Sequence, residues 1–152
     1  MQSERQTDEI SMMFRIVFDT NVLISAILSD GAPSVLLRKG MLNEFTIVAS
    51  DLLLREFENV MQRPKFKVYN NDDEVHRTVQ VLMHVADFVI VISKFSVVER
   101  DFKDNMILET AYDGQASFIV SGDDHLLSLK SFRGIKIVSV KEMLDYLEEN
   151  QV

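Results

Sequence analysis

The stretch Phe14 to Asp19, FRIVFD, decides the fold, because a run of strand length rich in aromatic and β-branched residues ends on a carboxylate. Four more runs of this type follow: Phe45 to Ala49 (FTIVA), Phe88 to Ile92 (FVIVI), Phe118 to Val120 (FIV) and Ile135 to Val138 (IKIV). Their composition is that of strands. Their apolar residues are mostly continuous rather than alternating, the pattern of strands covered on both faces in a parallel sheet between helices.

The intervening segments have helical signals. Pro33 fits the first turn of a helix through Leu37, and Ser50 caps a helix to about Met61 that Arg63-Pro64 stops. Asn71 to Val85 carries Val75, Val79, Leu82 and Met83 at helical spacing, and Asp104 to Tyr112 forms a further helix closed by Gly114. A last helix starts near Ser139, where Glu142 completes a capping-box pattern and Met143, Leu144 and Leu147 supply the apolar face. Strands alternating with helices predict an α/β domain with a mainly parallel sheet, whose ligand site lies beyond the carboxyl ends of the strands.

Of the 152 residues 47% are hydrophobic, enough for one core, and no linker or repeat interrupts residues 14 to 150. The expectation is a single domain over 14-152 preceded by a disordered tail over 1-13, whose sequence MQSERQTDEISMM is too polar for a signal peptide. No run approaches the roughly 18 consecutive apolar residues of a membrane span. A soluble, cytoplasmic protein is therefore expected. The absence of cysteine excludes disulfides, zinc ribbons and thiol nucleophiles, and leaves oxygen and imidazole as metal ligands. The net charge of -8 argues against the diffuse basic footprint common among nucleic-acid binders.

Asp19 follows directly on FRIVF and Asp123 closely on FIVSG, so both carboxylates should project from the carboxyl edge of the sheet, where Asp104 opens a helix. A lone Asp in such a place is an ordinary cap or turn residue. Several on one rim repel and raise one another's pKa unless a cation or a shared proton offsets them. For hard oxygen ligands the fitting cations are Mg²⁺ and Mn²⁺. Competing chemistries lack their motifs: Asp19-Thr20-Asn21 has no second Asp two residues on, as an aspartyl-phosphate phosphatase would, and GxGxxG, GxxxxGK[ST] and GxSxG are absent.

Four stretches together resemble the PIN-domain family, and within it the toxin components of prokaryotic toxin–antitoxin pairs. They are Val17 to Ala26 (VFDTNVLISA), Leu54-Arg55-Glu56-Phe57 leading to Arg63-Pro64-Lys65-Phe66, Asp101-Phe102-Lys103-Asp104-Asn105, and Ile119 to Leu127 (IVSGDDHLL). Their order and spacing span roughly residues 14 to 145. The resemblance implies a three-layer α/β/α fold with a five-stranded, mainly parallel sheet. It also implies a metal-dependent endoribonuclease in which Asp19, Glu56, Asp104 and Asp123 are catalytic and hold one or two Mg²⁺ or Mn²⁺ ions, supported by Asn21 and Ser121. An RNA substrate, an antitoxin partner and a homodimer are implied in the same way. Two positions depart from the family pattern. His125, beside Asp124, stands where a further Asp is common, which makes Asp124 and His125 the candidate variant ligands, and Phe102 stands where proline is usual.

Helical periodicity does not select Glu56 by itself. With Leu53, Leu54, Phe57, Val60 and Met61 as the buried stripe, Glu56 and Glu58 flank it equally, so Glu56 rests on the resemblance. Arg63, Lys65 and Lys67, interleaved with Phe66 and followed by Tyr69, form the densest basic stretch and are candidate RNA contacts, as are Arg100 and Lys103. A solvated loop accounts for the same charges. His76 and His84 are too far apart on one helix to be a metal pair. Two other functions fit the sequence: a catalytically weak binding module acting through protein partners, suggested by His125 and the net charge, and a single-stranded DNA nuclease.

Overall fold

The computed structural model describes residues 14–96 and 102–150, Phe102 by its backbone alone; the 1–13 segment and Arg100 lie outside the described residues. Along the chain run β1 (Arg15–Phe18), α1 (Thr20–Leu28), α2 (Ala32–Met41), β2 (Thr46–Ala49), α3 (Asp51–Met61), a 3₁₀ segment (Pro64–Asn71), α4 (Asp73–Val85) and β3 (Asp87–Phe88). Then come α5 (Phe102–Asp113), β4 (Phe118–Val120), α6 (Asp124–Leu129), β5 (Ser131–Phe132), β6 (Ile135–Val138) and α7 (Val140–Glu149).

Among the described residues the strands form one sheet in the order β3-β2-β1-β4-β6-β5. Every pairing is parallel except that of β5 with β6. This is the mainly parallel α/β architecture expected, with six strands instead of five. The additional strand is the two-residue β5, set against β6 by a reversal through Arg133 (φ 49) and Gly134 (φ 85). So short a strand carries no periodicity to read.

β1 lies at the centre because its residues are apolar towards both layers. Ile16 and Phe18 pack with Leu36, Phe45, Val120 and Met143 on one face, and Val17 packs with Val48, Leu108, Ile119 and Ile137 on the other. A third cluster of Ile24, Phe57, Val60, Met61 and Val75 joins α1, α3 and α4. β6 alternates instead, with Ile135 and Ile137 buried and Lys136 exposed, consistent with its place beside the short edge strand.

The caps follow the sequence. The Ser50 hydroxyl accepts the Leu53 N–H at 3.3 Å, Asp72 accepts those of Glu74 and Val75, and Ser139 with Glu142 closes a reciprocal capping box. Asp72 caps α4 directly after the 3₁₀ segment, so that helix begins at Asp73 rather than Asn71. Gly114 follows α5 as expected, but its reason is close approach. A Cβ there would stand 2.6 Å from Val48 Cγ1, while the left-handed residue is its neighbour Gln115 (φ 53).

The strand expected over Phe88 to Ile92 pairs only through Asp87–Phe88, and the ladder ends with the Val89 N–H on the Ala49 carbonyl. β2 has no further residue to offer, because Ser50 turns into α3. Among the described residues no single helix is long and apolar enough to cross a membrane.

Candidate active site

The parallel pairing of β1 with β4 brings the residues after them together at the carboxyl edge. The Asp19 N–H donates to the Val120 carbonyl at 2.9 Å. Behind Asp19 stands Ser121, fully buried, whose hydroxyl donates to Asp19 Oδ2 at 2.8 Å and accepts the Asp123 N–H at 2.9 Å. The Ser121 N–H is itself tied to the Val138 carbonyl at 3.0 Å, so one serine fixes two acids to the rim of the sheet. Asp123 caps α6, its Oδ1 accepting the N–H groups of His125 at 2.7 Å and Leu126 at 3.2 Å.

Two helices supply the opposite wall. α3 and α5 are pinned by a buried hydroxyl pair, Ser50 with Thr110 at 2.8 Å, and their facing sides carry Glu56 and Asp104. The result is a basin of about 190 Å³ lined by Asp19, Asp123, Asp104 and Glu56 together with Arg63, Lys103, Thr20 and Asn21. Leu53, Val60 and Ile107 complete its lining.

The four acids singled out in the sequence thus meet in one place, with Asn21 among them and Ser121 hydrogen-bonded to one of them. Glu56 lines the basin, whereas Glu58 is exposed beside a different depression with Gln62 and His76. Of the basic candidates, Arg63 and Lys103 line the basin, Lys65 and Lys67 are exposed away from it, and Arg100 falls outside the described residues. Asp124 and His125 are exposed in the first turn of α6 and do not line the basin. Thr20 does line it and has no role legible in the sequence, since nothing in its place after Asp19 distinguishes it from an ordinary first-turn residue.

Electrostatically the basin is strained. Asp19 is 6% exposed and Asp104 4%. Burial pushes the Asp19 carboxyl above its ordinary value of 3.8. The Ser121 hydroxyl opposes this, as do the Asn21 and Thr20 amides, which lie near without forming a cap hydrogen bond, while the Asp123 charge adds to the rise. One positive charge is already engaged there, the Lys103 ammonium, 3.0 Å from Glu56 Oε1.

As the side chains stand, no three Asp, Glu or His groups among the described residues are close enough to hold one ion together. The causes are visible: Glu56 is turned to Lys103, Asp123 to the α6 amides and Asp19 to Ser121. The donor set nevertheless fits a hard divalent cation. Four carboxylates face one basin, two belong to buried residues, and Asp19 carries its charge at a cost that a cation would remove.

A sequence model of the PIN domain matches residues 15–125. This chain belongs to the PIN domain family. PIN domains are nucleases and generally use divalent metal ions. Two solved structures are similar in fold. One is VapBC2 from Rickettsia felis bound to a DNA fragment from their promoter, with TM-score 0.59 at 13% identity, covering 83% of this chain and 98% of that one. The other is PAE2754 from Pyrobaculum aerophilum, with TM-score 0.59 at 17% identity, covering 92% of this chain and 94% of that one. No curated protein sequence matches the chain. Within this PIN domain the basin occupies the place the parallel sheet assigns to a ligand, beyond the carboxyl ends of β1 and β4.

Proposed function

We propose that this PIN domain is a divalent-metal-dependent endoribonuclease. Asp19, Glu56, Asp104 and Asp123 are its metal-holding acids, and Mg²⁺ or Mn²⁺ is its cofactor. The observation that carries the reading is the convergence of four carboxylates from four separate segments on one basin, in company with two cationic side chains. A structural role would not require it, because acids gathered without a cation cost stability.

When bound, the metal supplies positive charge at the phosphodiester and makes water a stronger acid. The chain's own residues do the rest. Ser121 donates to Asp19 Oδ2, which fixes that carboxylate at the rim of the basin. Asp123 is fixed at the basin by the α6 amides that donate to its Oδ1. Glu56 would be among the residues that hold the metal, and Lys103, now 3.0 Å from its Oε1, would supply positive charge to a phosphate of the substrate. Arg63, at the junction of α3 and the 3₁₀ segment, offers a second phosphate contact, and Lys65 with Phe66 extends it along the chain. Asp124 and His125, exposed at the start of α6, are held as variant ligands only if the rim rearranges.

The toxin reading is finer still: a cytoplasmic nuclease held in check by an antitoxin protein. The likeness to a chain of VapBC2, whose structure includes promoter DNA, supports it. The engagement of Glu56 with Lys103 instead favours the alternative of a PIN-fold binding module with weak catalysis.

Labelled single-stranded RNA and DNA of one sequence, incubated with Mn²⁺ or Mg²⁺, decide between these readings. Wild type should cleave the RNA, EDTA should stop it, and Asp19→Asn should lower the rate by about a hundredfold or more. Equal rates for wild type and Asp19→Asn would remove the nuclease assignment, and preferential cleavage of the DNA would move it to the deoxyribose polymer.

A further inference from the structure

The hairpin of β5 and β6 carries an arginine on a bed of rings. The Arg133 guanidinium lies 4.6 Å from the ring centre of Phe95, 5.2 Å from that of Tyr112 and 5.4 Å from that of Phe132. The rings brace one another edge to face, Phe95 with Tyr112 at 5.4 Å and with Phe132 at 5.1 Å. Phe95 and Phe132 are backed by the core, whereas Tyr112 is 41% exposed and Arg133 faces solvent. No ion pair among the described residues involves Arg133. Asp113, beside Tyr112, has its carboxylate turned to Ser93 and Ile92. The turn adds a second observation. Arg133 and Gly134 both have positive φ, as a two-residue type I′ turn requires, and the first of these places favours Asn, Asp or Gly. An arginine is strained there, so the hairpin tip holds its cation against the preference of the backbone. The surrounding stretch 125–141 carries Lys130, Arg133, Lys136 and Lys141 and no acid, in a chain of net charge -8. All four are exposed.

We propose that this tip is a docking platform for single-stranded RNA, separate from the acid basin. β6 runs parallel to β4, so the turn that precedes it lies at the amino edge of the sheet, opposite the basin. α5 joins the two sites: Asp104 lines the basin, and Tyr112, roughly 12 Å further along the helix axis, underlies the arginine. A guanidinium lying flat on rings presents its outer face to an unpaired base and its N–H edge to a phosphate. Lys136 extends the positive charge to the other face of the hairpin, where its ammonium stands 5.9 Å from the Tyr146 ring centre. An acidic peptide would meet the same charges, but a planar cation on aromatic rings favours a strand of bases. The proposal rests on RNA as the substrate and not on its cleavage, because neither Arg133 nor the rings beneath it line the basin.

The test is the binding of a labelled single-stranded RNA of about sixteen nucleotides to the full chain, read by fluorescence anisotropy in EDTA over a series of salt concentrations. Without an ion the basin acids repel phosphate, so the binding measured is that of the platform. Arg133→Asn suits the turn and should fold, yet weaken binding about tenfold and lower the slope of log affinity against log salt by about one. Lys130→Gln, with the same change of slope expected, replaces it if circular dichroism shows a misfolded variant. Arg133→Lys should keep the slope and still lose affinity, since an ammonium retains the charge without the plane. Arg38→Gln, in α2 on the other face of the sheet, should bind like wild type. A wild type that binds no RNA, or a folded Arg133→Asn with wild-type affinity and slope, overturns the proposal. Polyaspartate that displaces the label as well as unlabelled RNA overturns it too, by showing that charge alone is read and an acidic protein is the partner. RNA binding that depends on Arg133 without any cleavage under Mn²⁺ would remove the nuclease assignment and leave the platform standing.

Discussion

Asp19 and Asp113 are both aspartates beside the ends of regular elements, and their surroundings push them in opposite directions. Asp113, at the C-terminal end of α5, loses some hydration, but the Ser93 hydroxyl at 2.6 Å and the N–H groups of Ser93 at 2.8 Å and Ile92 at 2.7 Å outweigh that, and its carboxyl is held below the ordinary value. Asp19 is buried, and one hydroxyl donor with nearby amides does not compensate, so its carboxyl is held above it. Three donors also overcome the unfavourable end of the helix dipole at Asp113. A carboxylate whose lone pairs are taken is an anchor; one left with uncompensated charge is a place for a cation. The first ties the segment after β3 to α5, and the second faces the basin.

The contrast breaks most visibly in catalysis. Asp19→Asn keeps the shape and an acceptor for Ser121 yet removes the charge, and kcat/KM for RNA with Mn²⁺ should fall by about a hundredfold or more. Asp113→Asn should stay within about twofold of wild type, since its partners Ile92 and Ser93 belong to the segment after β3 and neither lines the basin. Comparable losses in the two variants would mean that Asp19 is as structural as Asp113.

Ligand linkage gives the next largest effect. At a free Mn²⁺ concentration near a hundred times its Kd, wild type should gain about 2.7 kcal/mol in urea unfolding. Asp113→Asn should retain that gain and Asp19→Asn should lose most of it. A gain of equal size in all three proteins would place the ion elsewhere.

The sequence revealed one side of this contrast far better than the other. Asp19 and Asp123 were legible because a buried strand announces itself through continuous apolar residues, and the chain leaving such a strand sits at the carboxyl edge of the sheet. Glu56 was legible only through the family pattern, since α3 offers Glu56 and Glu58 symmetrically about its stripe; the packing of α3 against α5 turns Glu56 to the basin. Nothing in the sequence distinguishes Asp113 from an ordinary last-turn residue, because its donors lie 20 and 21 residues earlier in an irregular segment. α1, with the sequence TNVLISAIL, has too many apolar and β-branched residues to show a helical stripe, and folds as a helix because it is packed on several sides. The two-residue β5 and the unpaired end of the third apolar run depend on what their neighbours offer, which no local pattern records.

Asp113→Ala sharpens the structural side. It removes an acceptor of three hydrogen bonds, but the site is partly open, so water can replace it in part and the loss should be about 1–2 kcal/mol by urea unfolding without metal. Affinity for Mn²⁺ should not change. An unaltered stability would show that the segment after β3 is held by its other contacts, such as the Phe95 N–H on Glu109 at 2.8 Å.

The smallest effect is in the pH dependence of the metal-free protein, and there the two residues differ in sign. Asp19 has a folded pKa above its unfolded value of 3.8, so over that interval the folded state binds more protons and its stability rises as pH falls. Asp113 has a folded pKa below 3.8; its contribution is present above the unfolded value and is lost as pH falls through the folded one, as with Glu142, whose capping-box hydrogen bonds lower it from 4.5. Metal-free Asp19→Asn should therefore be more stable than wild type at neutral pH, with the gap closing as pH drops towards 3.8. The gap between wild type and Asp113→Ala should persist through that range and close only below it. Urea unfolding of the three proteins from pH 7 down to the acid limit of folding checks both trends, and an Asp19→Asn curve parallel to wild type would show that burial does not burden this carboxylate.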